Sequence, residues 1–161
     1  MVCPENFFVS THIITLREVT GLDDEIVIRL VDTWDKDEIV QLYRAGGWWK
    51  DEYDPDSLSG LIRGSFAFAV ATDRKTGHAI GMGRVISDGV FDGYIQDLVV
   101  LPAYRKRGIG AGIVAALVAR CNGSGISWIG LIAEPGTESF YQPLGFFPMK
   151  GYIPLLLKRD P

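Results

Sequence analysis

The pattern of apolar and polar positions predicts a strand, a loop and a helix over residues 94–121. Apolar, mostly β-branched residues dominate 95–101, which is typical of a strand that is buried on both faces. Pro102 lacks the amide hydrogen that a sheet ladder needs, so we expect the strand to end there. Apolar residues then recur at helical spacing from 109 to 120, and Asn122-Gly123 predicts the end of that helix.

Shorter patterns on either side predict the remaining elements of an α/β domain. Strands are predicted at 12–18, 25–31, 66–72, 79–86, 126–133 and 152–158, although a helix is an open alternative at 25–31. Helices are predicted after the capping residue Asp35 as far as Gly46, at 56–63, and in a short stretch after Pro135. The polar turn 73–77 makes its two flanking strands a hairpin. The final strand is expected to run antiparallel to its neighbour, and the central strand–helix–strand unit to be a right-handed parallel crossover.

Composition fits one domain spanning all 161 residues, with 1–20 as an N-terminal extension that holds the possible extra strand. A net charge of −4 gives no general attraction to nucleic acid or to anionic membranes. Two cysteines, Cys3 and Cys121, provide neither a disulfide framework nor metal-ligand spacing, so we expect a cytoplasmic location and no metal. No apolar run reaches transmembrane length, and we expect no membrane attachment.

The loop before the central helix combines cationic side chains with glycines, and its residues are Arg105, Lys106, Arg107, Gly108, Ile109, Gly110 and Ala111. The first amides of a helix have no intrahelical partner and carry the positive end of the helix dipole, so they attract phosphate oxygens. Neither the P-loop pattern nor the dinucleotide-binding fingerprint is present. A glycine-rich helix start that only packs closely on the sheet is the structural alternative.

This loop resembles the acyl-CoA pyrophosphate loop of the GCN5-related N-acetyltransferases, the GNAT family. Arg105, Gly108 and Gly110 fill that family's Arg/Gln-x-x-Gly-x-Gly/Ala pattern. Residues 140–146, Phe-Tyr-Gln-Pro-Leu-Gly-Phe, resemble its Phe-Tyr-x-x-x-Gly-Phe signature. The resemblance covers about 66–146 well and the N-terminal part loosely. It implies a mixed central sheet flanked by helices, in which two parallel strands splay apart around the cofactor.

The resemblance implies acetyl-CoA as the co-substrate, with its pyrophosphate on the loop residues just named. Its pantetheine arm would lie along the backbone of Leu98, Val99 and Val100 like an added strand. A backbone N–H near Val99 or Val100 would meet the oxyanion. The acceptor would be a primary amine of a small molecule, which attacks the thioester directly in a ternary complex. A protein or peptide acetyltransferase and a catalytically silent acyl-CoA-binding module are the alternatives, and a homodimer is expected from the family alone.

The resemblance implies a general acid but leaves several candidates for the general base. Tyr141 matches the family's general acid, which protonates the leaving thiolate; the alternative is an aromatic side chain that only packs. Gln96 stands where the polyamine acetyltransferases have a basic Glu, and an amide cannot take a proton at neutral pH. Asp97 follows it, but strand alternation predicts that its side chain points to the opposite face. Glu134, beside the cofactor gap, and a chain of waters are the other candidates for the base.

Trp48 and Trp49 precede an acidic stretch where the family walls its acceptor pocket. Together with Gln96 they are the predicted substrate-binding residues. Aromatic faces and carboxylates suit a cationic amine, which favours an aromatic or polyamine-like acceptor. The alternative is that the two tryptophans cap the core while the acidic residues form a solvated face.

Overall fold

The structure is a computed structural model that describes residues 25–157 of the chain. Its sheet has five strands in the order β1-β2-β3-β4-β5, and these are Ile26–Leu30, Ala67–Asp73, Ala79–Ile86, Asp92–Val100 and Trp128–Leu131. Strands β1 to β4 pair antiparallel, and β5 runs parallel to β4. The predicted α/β class with a mixed sheet is confirmed. The predicted strand at 12–18 and the extension 1–20 lie outside the described residues.

Four α-helices accompany the sheet in the described range, and these are α1 Lys36–Ala45, α2 Ser57–Gly64, α3 Ile109–Gly123 and α4 Glu138–Tyr141. Asp35 caps α1 as predicted, because its Oδ1 accepts a hydrogen bond from the Glu38 amide at 3.0 Å. Helix α3 continues through the predicted stop, and Ser124 is its C-cap. Between residues 25 and 157, no helix is both long and apolar enough to cross a bilayer.

The sheet buries apolar side chains on both of its faces. Helix α3 covers one face, where Ile113 and Leu117 are fully buried against β2, β3 and β4. Gly83 of β3 allows this close approach, since a Cβ there would lie 2.9 Å from the Ile113 side chain. Helices α1 and α2 cover the other face, with Leu42 buried against the core of β2 and β3. Burying each such side chain contributes about 1.5–3 kcal/mol.

The fold opens between β4 and β5. Their parallel pairing runs only from Asp92 and Trp128 to Ile95 and Leu131. Beyond Ile95, β4 keeps its antiparallel pairing with β3 but has no ladder partner on the β5 side within the described residues. The separation of two parallel strands, which the resemblance implied, is therefore confirmed.

A β-bulge lies in β4 beside this opening. Arg84 of β3 pairs with Gln96, whereas Met82 pairs with Val99, so two residues of β4 stand opposite Gly83 alone. One of the two is Asp97, whose φ of 55° is left-handed. An extra residue reverses the alternation of side chains along the strand. The prediction that Asp97 points to the face opposite Gln96 is therefore wrong, because both side chains bind Arg84.

The strand predicted at 152–158 is absent from residues 152–157, which are irregular and exposed. The prediction was wrong because an apolar run shows only that a segment needs a partner, not that the domain supplies one. Pro154 also removes one amide that a ladder would use. The strand predicted at 126–133 is shorter than expected, since the chain leaves the sheet after Leu131 where β4 and β5 separate.

Candidate active site

A cavity of about 310 Å³ lies where β4 and β5 separate. Its walls combine the end of β4, the segment after β5, helix α4 and the loop after α1. The lining residues include Trp48, Tyr94, Gln96, Asp97, Leu98, Ile132, Glu134, Thr137 and Tyr141. The structure thus brings together six residues that the sequence predicted for catalysis, cofactor binding or substrate binding. Within the described range, no group of three His, Cys, Asp or Glu side chains is arranged to hold a metal ion.

Tyr141 ends helix α4 and lines the cavity. Its ring packs edge-on against Phe140, with the centroids 4.8 Å apart, and against Phe146 at 6.2 Å. The packing alternative is therefore partly true, because these contacts fix the ring. The hydroxyl, however, has no hydrogen-bond partner among residues 25–157. Burial, followed by the nearby charge of Glu134, raises the pKa of Tyr141, so the phenol stays protonated at neutral pH.

Glu134 follows β5 on the opposite side of the opening and is exposed to solvent. Its carbonyl is held by Thr137, whose amide and hydroxyl donate to it at 3.0 and 2.7 Å. Its carboxylate has no ion-pair partner in the described part of the chain. Glu134 therefore combines a fixed backbone with an exposed carboxylate at the cavity wall.

Asp97 points to the cavity side of β4 instead of the opposite face. Its Oδ2 accepts two hydrogen bonds, one from the Tyr43 hydroxyl at 2.7 Å and one from the Arg84 Nε at 2.5 Å. Arg84 also donates to the Gln96 Oε1 at 3.3 Å. Burial, and then the charge of Asp97, raise the pKa of Tyr43 above its ordinary range. The Asp97 carboxylate is therefore engaged by two donors from neighbouring elements of the protein.

Sequence reasoning missed Tyr43 and Arg84. Tyr43 lies 54 positions from Asp97, so no local pattern could connect them. Arg84 did carry a signal, because it is a single charged residue in an otherwise apolar strand. A buried cation needs a charged partner, and that argument could have pointed to a carboxylate on the neighbouring strand.

The two tryptophans have different positions. Trp48 lines the cavity, and its ring lies on the backbone of Gly46, where a Cβ would come within 2.6 Å of it. Trp49 does not line the cavity. It packs against Tyr43 at 6.4 Å and against Tyr53 at 5.7 Å. The predicted substrate-binding pair thus separates into a residue of the cavity wall, Trp48, and a residue outside the cavity, Trp49.

The loop before α3 has the backbone form of an anion site. Lys106 has a φ of 63° and Gly108, the N-cap of α3, a φ of 76°. Left-handed residues in a turn direct successive amides into a concavity that binds anions. Gly108 has no side-chain capping bond, so the first amides of the helix are not capped from within. A Cβ on Gly110 would lie 3.2 Å from Phe140, which brings the start of the helix next to the Tyr141 segment.

The cationic side chains of this loop have partners in the protein. Arg105 Nε donates to the Val100 carbonyl at 3.0 Å, and the Arg107 guanidinium lies 5.6 Å from the Tyr104 ring centroid. The Leu101 amide donates to Ile80 of β3 at 2.9 Å. Backbone groups of adjacent strand residues point to opposite sides, so Val100 directs its amide and carbonyl to the opening. Of the two residues proposed for the oxyanion, Val100 is therefore the one that faces the gap.

Comparisons with known proteins agree with this geometry. A model of the acetyltransferase (GNAT) family matches residues 31–146. Serotonin N-acetyltransferase 2, chloroplastic, of Oryza sativa is 40% identical over 72 residues, which are 45% of this chain and 36% of the rice protein. An uncharacterized N-acetyltransferase of Pyropia yezoensis is 30% identical over 111 residues, 68% of this chain and 63% of that protein. The chain therefore spans less than two thirds of either relative.

Solved structures show the same fold. A GNAT family acetyltransferase from Streptococcus pneumoniae superimposes with a TM-score of 0.71 at 23% identity, covering 84% of this chain and 99% of that one. The protein AAC(6')-Iy, solved in complex with the bisubstrate analog CoA-S-monomethyl-acetylneamine, gives a TM-score of 0.65 at 19% identity, with coverage of 84% and 99%. The family match extends over the opened sheet, the glycine loop and the Tyr141 segment, and the chain belongs to the acetyltransferase (GNAT) family.

Proposed function

We propose that this protein transfers the acetyl group of acetyl-CoA to the primary amine of a small molecule. The observation that carries the proposal is the continuous arrangement of three features: the amide loop at 105–111, the unpaired edge of β4 and the cavity that contains Tyr141 and Glu134. A diphosphate, an extended pantetheine arm and a thioester require these three in that order. The CoA-based analogue in AAC(6')-Iy supports the same donor.

The acceptor side supports a compact amine with an apolar or aromatic body. A cavity of about 310 Å³ is at the small end of the range for ligand sites, about 300–1,000 Å³. Trp48, Tyr94 and Tyr141 provide aromatic surface, and Glu134 provides negative charge for an ammonium group. The rice relative's name, a serotonin N-acetyltransferase, agrees with an arylalkylamine.

The reaction is a direct displacement. The bound ammonium first loses one proton to water by way of Glu134. The neutral amine nitrogen then bonds to the thioester carbon, and the Val100 amide stabilises the oxyanion that forms. The carbon–sulfur bond then breaks, the thiolate takes a proton from Tyr141, and the nitrogen loses one to Glu134. Exchange with water restores both side chains. Asp97 does not take part in proton transfer, because Arg84 and Tyr43 hold it.

Release of free thiol from acetyl-CoA, measured with panels of arylalkylamines, polyamines and lysine peptides, tests the proposal. We expect turnover with the arylalkylamines, and Tyr141→Phe should reduce kcat about 100-fold or more while CoA binding in a calorimeter stays unchanged. Tyr53→Phe, which alters an aromatic residue outside the cavity, is the matched control. Turnover with peptides alone would instead indicate a protein acetyltransferase. CoA binding without turnover on any amine would indicate a silent binding module.

A further inference from the structure

The side chain of Gln96 is held in one orientation at the wall of the candidate active site. Its Oε1 accepts a hydrogen bond from the Arg84 Nη2 at 3.3 Å. A guanidinium has only donors, so it can bind the oxygen of this amide but not its NH2 group. Arg84 is itself fixed by Asp97, whose carboxylate accepts from the Arg84 Nε at 2.5 Å. The NH2 group of Gln96 therefore points away from Arg84.

This NH2 group keeps its hydrogen-bond donors for a ligand. Gln96 lines the cavity, and its NH2 group makes no hydrogen bond within residues 25–157. In the same range, every fully buried side-chain nitrogen or oxygen has a partner. The unpaired nitrogen of Gln96 is therefore not sealed off, and a ligand in the cavity can reach it. Thr137 differs, because its hydroxyl already donates to the Glu134 carbonyl at 2.7 Å.

We propose that Gln96 determines specificity by binding an oxygen atom at the end of the acceptor that is remote from its amine. The assignment rests on the proposed function, in which the reacting nitrogen lies near Glu134 and Tyr141. The donors of the Gln96 amide need an acceptor, and a hydroxyl, methoxy or carbonyl oxygen supplies one. A second ammonium group cannot, because it also has only donors. The preferred substrates are therefore monoamines that carry an oxygen, and polyamines are disfavoured.

The spacing along β4 suits an aromatic ring with a short alkyl arm. Gln96 lies opposite Arg84 of β3, whereas Val100, the proposed oxyanion donor, lies opposite Gly81, three positions away on that strand. Three positions span about 10 Å at the usual strand rise. The two ends of a ligand that lies along β4 need a similar separation. A ring with a two-carbon arm and a para oxygen has this extent, which a single-carbon amine does not reach.

Pairs of amines that differ by one group test the assignment. Release of free thiol from acetyl-CoA is compared for para-methoxyphenethylamine and phenethylamine, and for hexamethylenediamine and hexylamine. We expect the wild type to favour the methoxy compound in kcat/KM by about 10-fold. The methoxy oxygen can only accept a hydrogen bond, so this preference identifies a donor in the protein. We also expect hexylamine to be favoured over the diamine, counted per amine group.

Variants of Gln96 then assign the preference to this side chain. Gln96→Leu should abolish the preference for the methoxy oxygen. Gln96→Glu should abolish it too and should reverse the order of the two alkylamines, because a carboxylate accepts from an ammonium. Each result is a ratio within one enzyme preparation, so a fraction of unfolded protein does not change it. Tyr94→Phe and Trp48→Phe are the matched controls, because they remove other hydrogen-bond donors that line the cavity, and they should keep the preference.

The outcomes distinguish this assignment from the proposed function. A preference for the methoxy compound that survives Gln96→Leu, or that only a control variant removes, overturns the assignment. So does a wild type that uses both aromatic amines equally well or prefers the diamine. In these cases acetyl transfer itself still stands. Absence of thiol release with every amine would refute the proposed function as well.

Discussion

Replacing Asp97 in three ways should separate charge pairing from backbone conformation at the bulge of β4. The side chains of Arg84 and Asp97 are only 16% and 21% exposed, and Asp97 has a φ of 55°. Asp97→Asn removes the charge but keeps a side chain that tolerates the left-handed conformation. Asp97→Gly removes the side chain and keeps the conformation accessible. Asp97→Ala removes the side chain and adds strain.

The expected losses of stability follow from the partial burial of the Arg84–Asp97 ion pair. Removing one partner of a fully buried ion pair costs about 3–5 kcal/mol. Arg84 retains some contact with water and its hydrogen bond to Gln96, so we expect a loss of about 2 kcal/mol for Asp97→Asn. Asp97→Gly should lose more, because the Tyr43 hydroxyl is then left without its partner. The free energy of unfolding of Asp97→Ala should be about 1 kcal/mol lower than that of Asp97→Gly, since a Cβ disfavours the left-handed region by about that amount.

Urea unfolding, followed by tryptophan fluorescence, measures these differences. In thermal unfolding, the same loss of 2 kcal/mol should appear as a decrease of about 4–8 °C in Tm for a chain of this size. Asp51→Asn is the matched control, because Asp51 forms a long, exposed ion pair of 3.8 Å with Arg44 and should change stability by at most about 0.5 kcal/mol. Equal stability of the Ala and Gly variants would refute the strain argument, and a neutral Asp97→Asn would refute the contribution of the charge.

Three further predictions concern other parts of the molecule. Gly108→Ala adds a Cβ to a left-handed N-cap and should weaken CoA binding about 10-fold by calorimetry, whereas Gly125→Ala, with a similar φ of 81° away from the loop, should leave it unchanged. Trp48→Ala should raise the KM for the amine more than the KM for acetyl-CoA in steady-state kinetics, because only the amine is expected to contact this wall. Burial raises the pKa of Glu38, but hydrogen bonds, led by that of His78, outweigh it and lower the pKa overall. Because the pKa is lower in the folded protein, the Glu38 carboxylate stabilises the fold fully at pH values above its ordinary pKa of 4.5. This stabilisation is lost as the pH falls below that value. Glu38→Gln should therefore lower Tm at pH 7 and flatten the loss of Tm in acid.

Local patterns in the sequence predicted most of the fold because their causes are local. The Asp35 cap, the hairpin turn and the end of β4 shortly before Pro102 each depend on a few neighbouring residues. The glycine loop was predictable for the same reason. The groups that we propose to bind phosphate are backbone amides, and the positions of Gly108 and Gly110 determine where a ligand can approach them.

The errors arose where a distant residue decides the local structure. The bulge at Asp97 depends on the pairing of β4 with β3, and on the hydrogen bonds of Tyr43 and Arg84, none of which appears in the local pattern. The prediction of a strand at 152–158 was wrong for a similar reason over the described residues 152–157, because a strand exists only where a neighbour accepts its hydrogen bonds. Trp48 and Trp49 are adjacent residues of the same type, so the sequence does not distinguish them. The course of the chain after α1 places Trp48 in the cavity wall and Trp49 outside it.

The bulge also accounts for Gln96, the residue that departs from the pattern of the polyamine acetyltransferases. Arg84 binds Asp97 through Nε and the Gln96 amide oxygen through Nη2. A glutamate at 96 would bring a second carboxylate to one guanidinium, and two adjacent carboxylates cannot both stay charged at low cost. A neutral amide avoids this repulsion while it satisfies Arg84. Since the end of β4 is then committed to holding the bulge, the carboxylate that we propose as the acceptor of the amine's proton lies on the other side of the opening, at Glu134.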